Sequence, residues 1–249
     1  MRNSTEACAI IDSVDSTLEQ LHESLWLAEG EVVSFYGFPY PTRAVIVRLA
    51  DGGLWVWSPV KLTLHLHAEV DRLGHVRHLV SPNKLHHLYL AEWQEAYPQA
   101  LLWGPSTSIA KRRDLSFREP LEDAPPAEWG NAIDQAWFRG SIAMDEIVFF
   151  HRASGTVLVA DLIEAFSDRF LSERWGGWRS VVARLDGITA AAPGAPREWR
   201  WSFVHRKLAR AARDKVLGWD CVRVVMAHGE WVPSDGRAYL ERAFRWLGS

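Results

Sequence analysis

The sequence predicts a layered α/β fold. Three observations carry this reading. Short apolar runs rich in Val, Ile and aromatic residues (TRAVIVRL, LWVWS, EIVFFH, TVLVAD and VRVVMA) are bounded by turn signals such as DGG and SG. Segments of helical spacing lie between several of these runs, so strand and helix alternate. The order then recurs in broad outline, an antiparallel group followed by strand–helix units in each half. No short fixed period repeats, which excludes a solenoid.

Taken in order, residues 1–30 read as an N-terminal lead-in with a short helix around Ser16–Leu27, and residues 31–249 as the domain proper. Strands are expected at 31–36, 42–49 and 54–58, separated by GFPYP and DGG, and the simplest pairing is an antiparallel meander. The segment 62–74 is ambiguous. Leu62, Leu64 and Leu66 alternate as in a strand, whereas Leu66, Val70 and Leu73 followed by Gly74 suit a helix with its cap. A helix is preferred, because a parallel strand at 76–80 needs a crossover before it. After Pro82 the spacing of Leu85, Leu88, Trp93 and Ala96 predicts a second helix running to Pro98. ALLW at 100–103 is a short strand and SIAKRRD a short helix. Residues 119–131 form a connection. AIDQAWF, EIVFFH and TVLVAD are three strands, the last two joined as a hairpin. Residues 162–213 are mixed, ARAARDKVLG is a helix ending at Gly218, VRVVMA is a buried strand, and the chain closes on a helix carrying Tyr239, Ala243, Phe244 and Leu247.

The 249 residues suffice for a full core, and apolar content of 48% with charged content of 24% describes an ordinary globule. A net charge of −3 leaves no electrostatic footprint for nucleic acid. No window approaches the length of apolar chain that spans a bilayer, so no membrane partner is expected. The opening MRNSTEACAI lacks a basic region followed by an apolar stretch, which predicts a cytoplasmic protein. Cys8 and Cys221 have no CxxC partner, so neither a disulfide framework nor a thiolate metal site is expected. The 14 tryptophans are too many for surface decoration. They are expected in the core and in pocket walls, and the surplus leaves room for a homodimer.

Three strand ends carry the informative side chains. HVRHLV opens into SPNKLHH, TVLVAD ends at Asp161, and VRVVMA runs to His228. Open α/β sheets bind ligands where loops leave such ends. Imidazole and carboxylate donors suit zinc, iron or manganese, and four of them fill a tetrahedral shell. Each residue also has an ordinary reading. Asp161 could cap a helix, and adjacent helical residues such as His86 and His87 point about 100° apart. His65 and His67 have H-x-H spacing, but on a helix such residues do not share a face, so they read as surface histidines. His151 and His205 read as structural.

The segments SPNKLHHLYLAEW, MDEIVFFHRASGTVLVADL and VVMAHGEW, in this order, resemble the metallo-beta-lactamase superfamily, and within it the uncharacterised DUF4336 family. The resemblance covers roughly residues 30–249. It implies a single-domain, four-layer αββα sandwich. The superfamily's first motif, T-H-x-H-x-D-H, aligns with SPNKLHH so that Pro82 and Lys84 replace its first two histidines. His86 then takes the aspartate position and His87 the last histidine. Asp161 matches the bridging aspartate and His228 the final histidine, while no histidine stands near Gly140–Asp145. The resemblance thus implies one surviving metal pocket made by His86, His87, Asp161 and His228. Lys84 is expected to face the lost pocket, where its charge disfavours a second ion.

The expectation is a mononuclear metal-dependent, hydrolase-like protein. It holds one divalent transition metal, zinc ahead of iron or manganese, and acts on an unknown small-molecule substrate. Asp161, Glu146 and Lys84 are the catalytic candidates, with Asp145 and Glu230 as further acid/base groups. Four donors would saturate a tetrahedral ion, so hydrolysis would require expansion to five ligands. The alternative is a degenerate, non-catalytic binding protein whose metal is structural or absent.

Overall fold

The computed structural model describes residues 10–12 and 18–248. Cys8 and Ser16 lie outside them. A six-stranded sheet has the order β2 (Leu18–His22), β3 (Leu25–Glu29), β6 (Arg43–Arg48), β7 (Leu54–Trp57), β8 (Val76–Val80), β9 (Leu101–Trp103). Pairing is antiparallel from β2 to β7 and parallel from β7 to β9. A four-stranded sheet consists of β10 (Ile133–Phe138), β11 (Glu146–His151), β12 (Thr156–Val159) and β13 (Arg223–Met226). Its last pair, β12 with β13, is again parallel. Both sheets therefore move from antiparallel to parallel pairing, which is the recurrence visible in the sequence.

Two-residue periodicity builds the layers. Val45, Val47, Trp55, Trp57, Ile147, Phe149, Leu158 and Val225 point between the sheets into one shared core. Their neighbours Ala44, Ile46, Leu54 and Val56 point outward onto Leu66 and Val70 of α1 (Leu64–Leu73) and Leu90 and Trp93 of α2 (Leu90–Ala96). On the far side Val148, Phe150, Val157, Val159, Val224 and Met226 meet residues of α6 (Arg197–Ser202), α7 (Arg206–Leu217) and α8 (Gly236–Ala243). The result is helix, sheet, sheet, helix, and because both faces of each central strand are covered, the strands read as continuous apolar runs. The remaining helices are α3 (Ser106–Lys111), α4 (Asp168–Phe170), which runs into a π-helical stretch (Leu171–Trp175), α5 (Gly177–Asp186), and a closing 3-10 turn (Arg245–Leu247). Among the described residues, no helix is long and apolar enough to cross a membrane.

Several local expectations need correction. In place of a helix around Ser16–Leu27, Leu18–Glu29 forms a hairpin that completes the large sheet through β3–β6 pairing. Leu18, Leu21 and Leu25 mimic helical spacing, but sheet pairing overrides that local preference. The run 31–36 is not part of the large sheet. β4 (Val32–Phe35) pairs instead with β1 (Ile10–Asp12) and with β5 (Phe38–Tyr40), which occupies the GFPYP stretch read as a turn. The helix after Pro82 begins at Leu90 rather than Leu85, because side chains of the preceding loop hold its backbone in turns.

Candidate metal centre

Ser81 follows β8, and its N–H donates to Trp103 O at 2.9 Å, continuing the ladder by one residue. The Ser81 hydroxyl then lies 2.8 Å from Asn83 O and 2.9 Å from His86 O, and Asn83 Oδ1 accepts the N–H of Leu85 at 2.8 Å. Such side-chain bonds to local backbone compete with helix formation. They curl residues 83–87 into turns and carry the His86 ring inward. There its Nδ1 is 2.7 Å from Ser58 Oγ and its face lies against Trp57. Ser58 follows β7 in a left-handed conformation, φ 50°, with its N–H on Val80 O at 2.9 Å.

The second strand end is fixed from below by Glu146, the first residue of β11 and fully buried. Its Oε1 accepts the N–H of Ala160 at 2.8 Å and its Oε2 the N–H of Asp161 at 2.9 Å. Asn83 spends its two amide protons on the two carboxylates, 3.0 Å to Glu146 Oε2 and 2.7 Å to Asp161 Oδ2. Burial and the charge of Asp161 push Glu146 up to about 8.

The third piece follows β13. His228 Nδ1 donates to Pro41 O at 2.6 Å. Arg43, buried beneath it, donates from Nη1 to Met226 O at 2.6 Å and Gly229 O at 2.9 Å, and pairs with Glu29 at 2.6 Å. Gly229 has φ 97°, and a Cβ there would sit 2.3 Å from Ala165 O. Only glycine allows that close approach.

These pieces converge. His86 Nε2 lies 3.3 Å from Asp161 Oδ2, and His228 Nε2 lies 3.2 Å from Asp161 Oδ1. One ligating atom from each of the three residues falls within 4.8 Å of the others. Pro41 O can only accept, so the proton of neutral His228 is on Nδ1 and the lone pair is on Nε2. Ser58 can hold His86 in the same tautomer. Two lone pairs then face a carboxylate, an arrangement that repels unless a cation or extra protons lie between. The N···O separations suit neighbouring ligands of one ion at about 2.0–2.2 Å from each. Oxygen partners on both Nδ1 atoms complete a histidine-type metal environment. Burial works to raise Asp161, but with no ion between them the two imidazoles, in their protonated, donating form, prevail and hold its carboxyl well below the usual range. The residues fit a divalent cation.

The other candidates lie elsewhere. His87, expected as a fourth donor, is not part of the group. Its Nδ1 is buried without a hydrogen-bond partner, and burial together with Arg112 lowers the ring to about 4. Neighbouring residues in this loop diverge, so only one of the two rings reaches Asp161. Glu146, a catalytic candidate, has both oxygens occupied by N–H donors and positions Asp161 instead. Lys84 donates to Ala143 O, in the loop before β11. Asp145 accepts from Trp137 Nε1 at 2.9 Å and from Thr107. Glu230 is exposed. His65 and His67 lie on α1 and face Glu69 and Asp71, each at 3.6 Å. His151 contacts Ser154 at 2.8 Å. Cys221 is a buried thiol that burial pushes up to about 12.

Comparison with known proteins decides the family. The model of the domain of unknown function DUF4336 matches residues 23–171. The chain belongs to the DUF4336 family. No curated protein sequence matches it. Solved structures share its fold. A metallo-beta-lactamase from Pontibacter korlensis aligns with a TM-score of 0.60 at 13% identity, over 94% of this chain and 99% of that one. Metallo-beta-lactamase IND-7 aligns at 0.61 and 11%, over 96% and 100%. The Flv1 flavodiiron core from Synechocystis sp. PCC6803 aligns at 0.61 and 10%, over 95% of this chain and 62% of that one. This DUF4336 chain therefore has the metallo-beta-lactamase fold, the four-layer single domain implied by its motifs.

Sequence reading missed Asn83, Ser58 and Arg43. Asn83 stood inside the SPNKLHH segment and Ser58 at the end of the expected strand 54–58, and neither was given a role. The only signal for Arg43 was a charge opening an otherwise apolar strand.

Proposed function

We propose that this DUF4336 protein is a mononuclear metal-dependent hydrolase acting on a small molecule. The observation that supports it most is the three-residue donor group, with Nε2 of His86 and Nε2 of His228 turned on one carboxylate and both Nδ1 atoms tied to oxygen. Three protein donors leave a position open, as catalytic sites require, whereas a four-donor shell would have closed it. His86, Asp161 and His228 would hold the ion. When bound, a divalent cation supplies Lewis acidity, lowering the pKa of water and polarising a carbonyl or phosphoryl oxygen.

The chain's own residues set the rest. Ser58 and Pro41 fix the imidazole tautomers, Asn83 and Glu146 aim the carboxylate, and Arg43 ties the His228 loop to the sheet. Lys84 supplies a cation at the loop where dinuclear relatives of this fold carry a further ligand, and its charge disfavours a second divalent ion nearby. Two histidines and one carboxylate also suit Fe²⁺, so the identity of the ion is a separate question.

Elemental analysis of protein purified without added metal tests the reading, followed by a screen of ester, lactone and phosphoester substrates. One zinc per chain and a hydrolysis lost in Asp161→Ala are expected. Two ions per chain would overturn the mononuclear site. Iron would move the reading to redox chemistry, and no metal would move it to a non-catalytic binding protein.

A further inference from the structure

We propose that the outer face of α5, together with the tip of the β4–β5 hairpin, is the surface through which two copies of this chain associate. Trp178, Val181 and Leu185 are exposed by 65%, 53% and 59%. Their i, i+3, i+7 spacing sets them on one face of α5, while Ala183 on the opposite face is buried. The hairpin extends this stripe. Phe38 meets Trp178 edge-on with centroids 5.8 Å apart, and Arg179 lies over both rings. Tyr36 at the tip is 75% exposed.

Tyr36 is the telling residue. It and Gly37 have φ of 50° and 81° and join β4 to β5 as a two-residue loop. Such a loop favours Asn or Asp at its first position, and an aromatic residue there is held in a conformation its side chain disfavours. A bulky ring held in a disfavoured conformation and pointed at solvent implies a use outside the monomer.

Area and charge choose the occupant. The four side chains present on the order of 400 Å² of apolar surface, about half of the ~800 Å² that each partner gives to a standard interface, which suits a weak, concentration-dependent association. Most rim charges pair within the chain, Arg169 with Glu173 at 2.9 Å and Arg184 with Asp168 at 3.0 Å, and Arg179 is held over the Phe38 and Trp178 rings. Identical faces can therefore meet with little repulsion, whereas an anionic lipid surface would find little net positive charge. A second copy fits best, with micromolar affinity. This inference is independent of the metal reading.

Sedimentation velocity of the full, metal-replete chain, from low micromolar to a few hundred micromolar, tests it. The wild type should pass from one-chain to two-chain mass. Trp178→Ser/Leu185→Glu should stay at one-chain mass with wild-type circular dichroism. Tyr36→Asn should weaken association about tenfold or more while unfolding no earlier than the wild type, which keeps the test clear of misfolding. A wild type of one-chain mass throughout would overturn the proposal. So would a dimer that persists in both variants, or binding to phosphatidylserine vesicles without self-association.

Discussion

The carboxylate of Glu146 accepts the backbone N–H of Asp161 at 2.9 Å, so one buried acid sets the direction of the other. Asn83 joins the pair by donating to both. Replacing it with leucine leaves two buried carboxylates facing each other unbridged. Asn83→Leu is expected to lose about 2–4 kcal/mol of stability and to weaken metal binding about 10–100-fold. Urea unfolding and metal titration measure the two effects. Unchanged affinity would show that the bridge does not aim Asp161.

The donor group separates two adjacent histidines. His86→Ala and Asp161→Ala should each abolish stoichiometric metal, while His87→Gln and His65→Ala should leave metal content unchanged. Metal per chain after dialysis is the readout. A large loss in His87→Gln would mean that its ring turns inward when the ion binds.

Ser58 acts only through the His86 ring. Ser58→Ala is expected to keep the fold, with a stability change of about 1 kcal/mol, yet to reduce metal affinity about tenfold or more. Isothermal titration against the wild type separates a positioning role from a purely structural one. Equal affinities would assign the tautomer to another partner.

Gly229→Ala forces a methyl to within contact of Ala165 O at a positive φ. The loop carrying His228 must shift, at an expected cost of about 3 kcal/mol or more, and metal content should fall with it. Thermal unfolding with and without chelator would show the coupling.

Burial holds His78 and His151 down to about 4, against about 6.5 for an exposed ring. Between these values the unfolded chain binds more protons than the folded one, so stability falls as pH drops through this window. Above pH 6.5 these two rings add no pH dependence. Glu146, raised to about 8, pulls the other way over the same range, so the rings are read by difference: the urea midpoint of chelator-treated His151→Phe should lose less between pH 6.5 and 4 than that of the wild type. An equal loss in both would mean that the His151 ring charges freely in the native state.

The strands β6, β7, β11, β12 and β13 were legible because burial on both faces leaves unbroken runs of Val, Ile, Trp and Phe. The hairpin Leu18–Glu29 was not, because LEQLHESLWLAE pairs helix-forming residues with helical spacing, and only its partner β6 makes it a strand. Asp161 and His228 could be found by their place at the ends of apolar strands. The pair His86–His87 could not be resolved, since the choice between them depends on Ser81 and Asn83 capturing backbone groups of the loop. Those captures are local bonds of ordinary polar residues, for which spacing carries no signature.

The centre draws His86 from the edge of the larger sheet and Asp161 and His228 from the smaller one, across 142 positions of chain from first to last. During synthesis, His228 leaves the ribosome well after His86 and Asp161. An ion cannot be gripped by all three donors before that, so loading reports that both sheets have been made and have docked. The cation would thus act as a clasp across the seam, closed only once the two sheets meet.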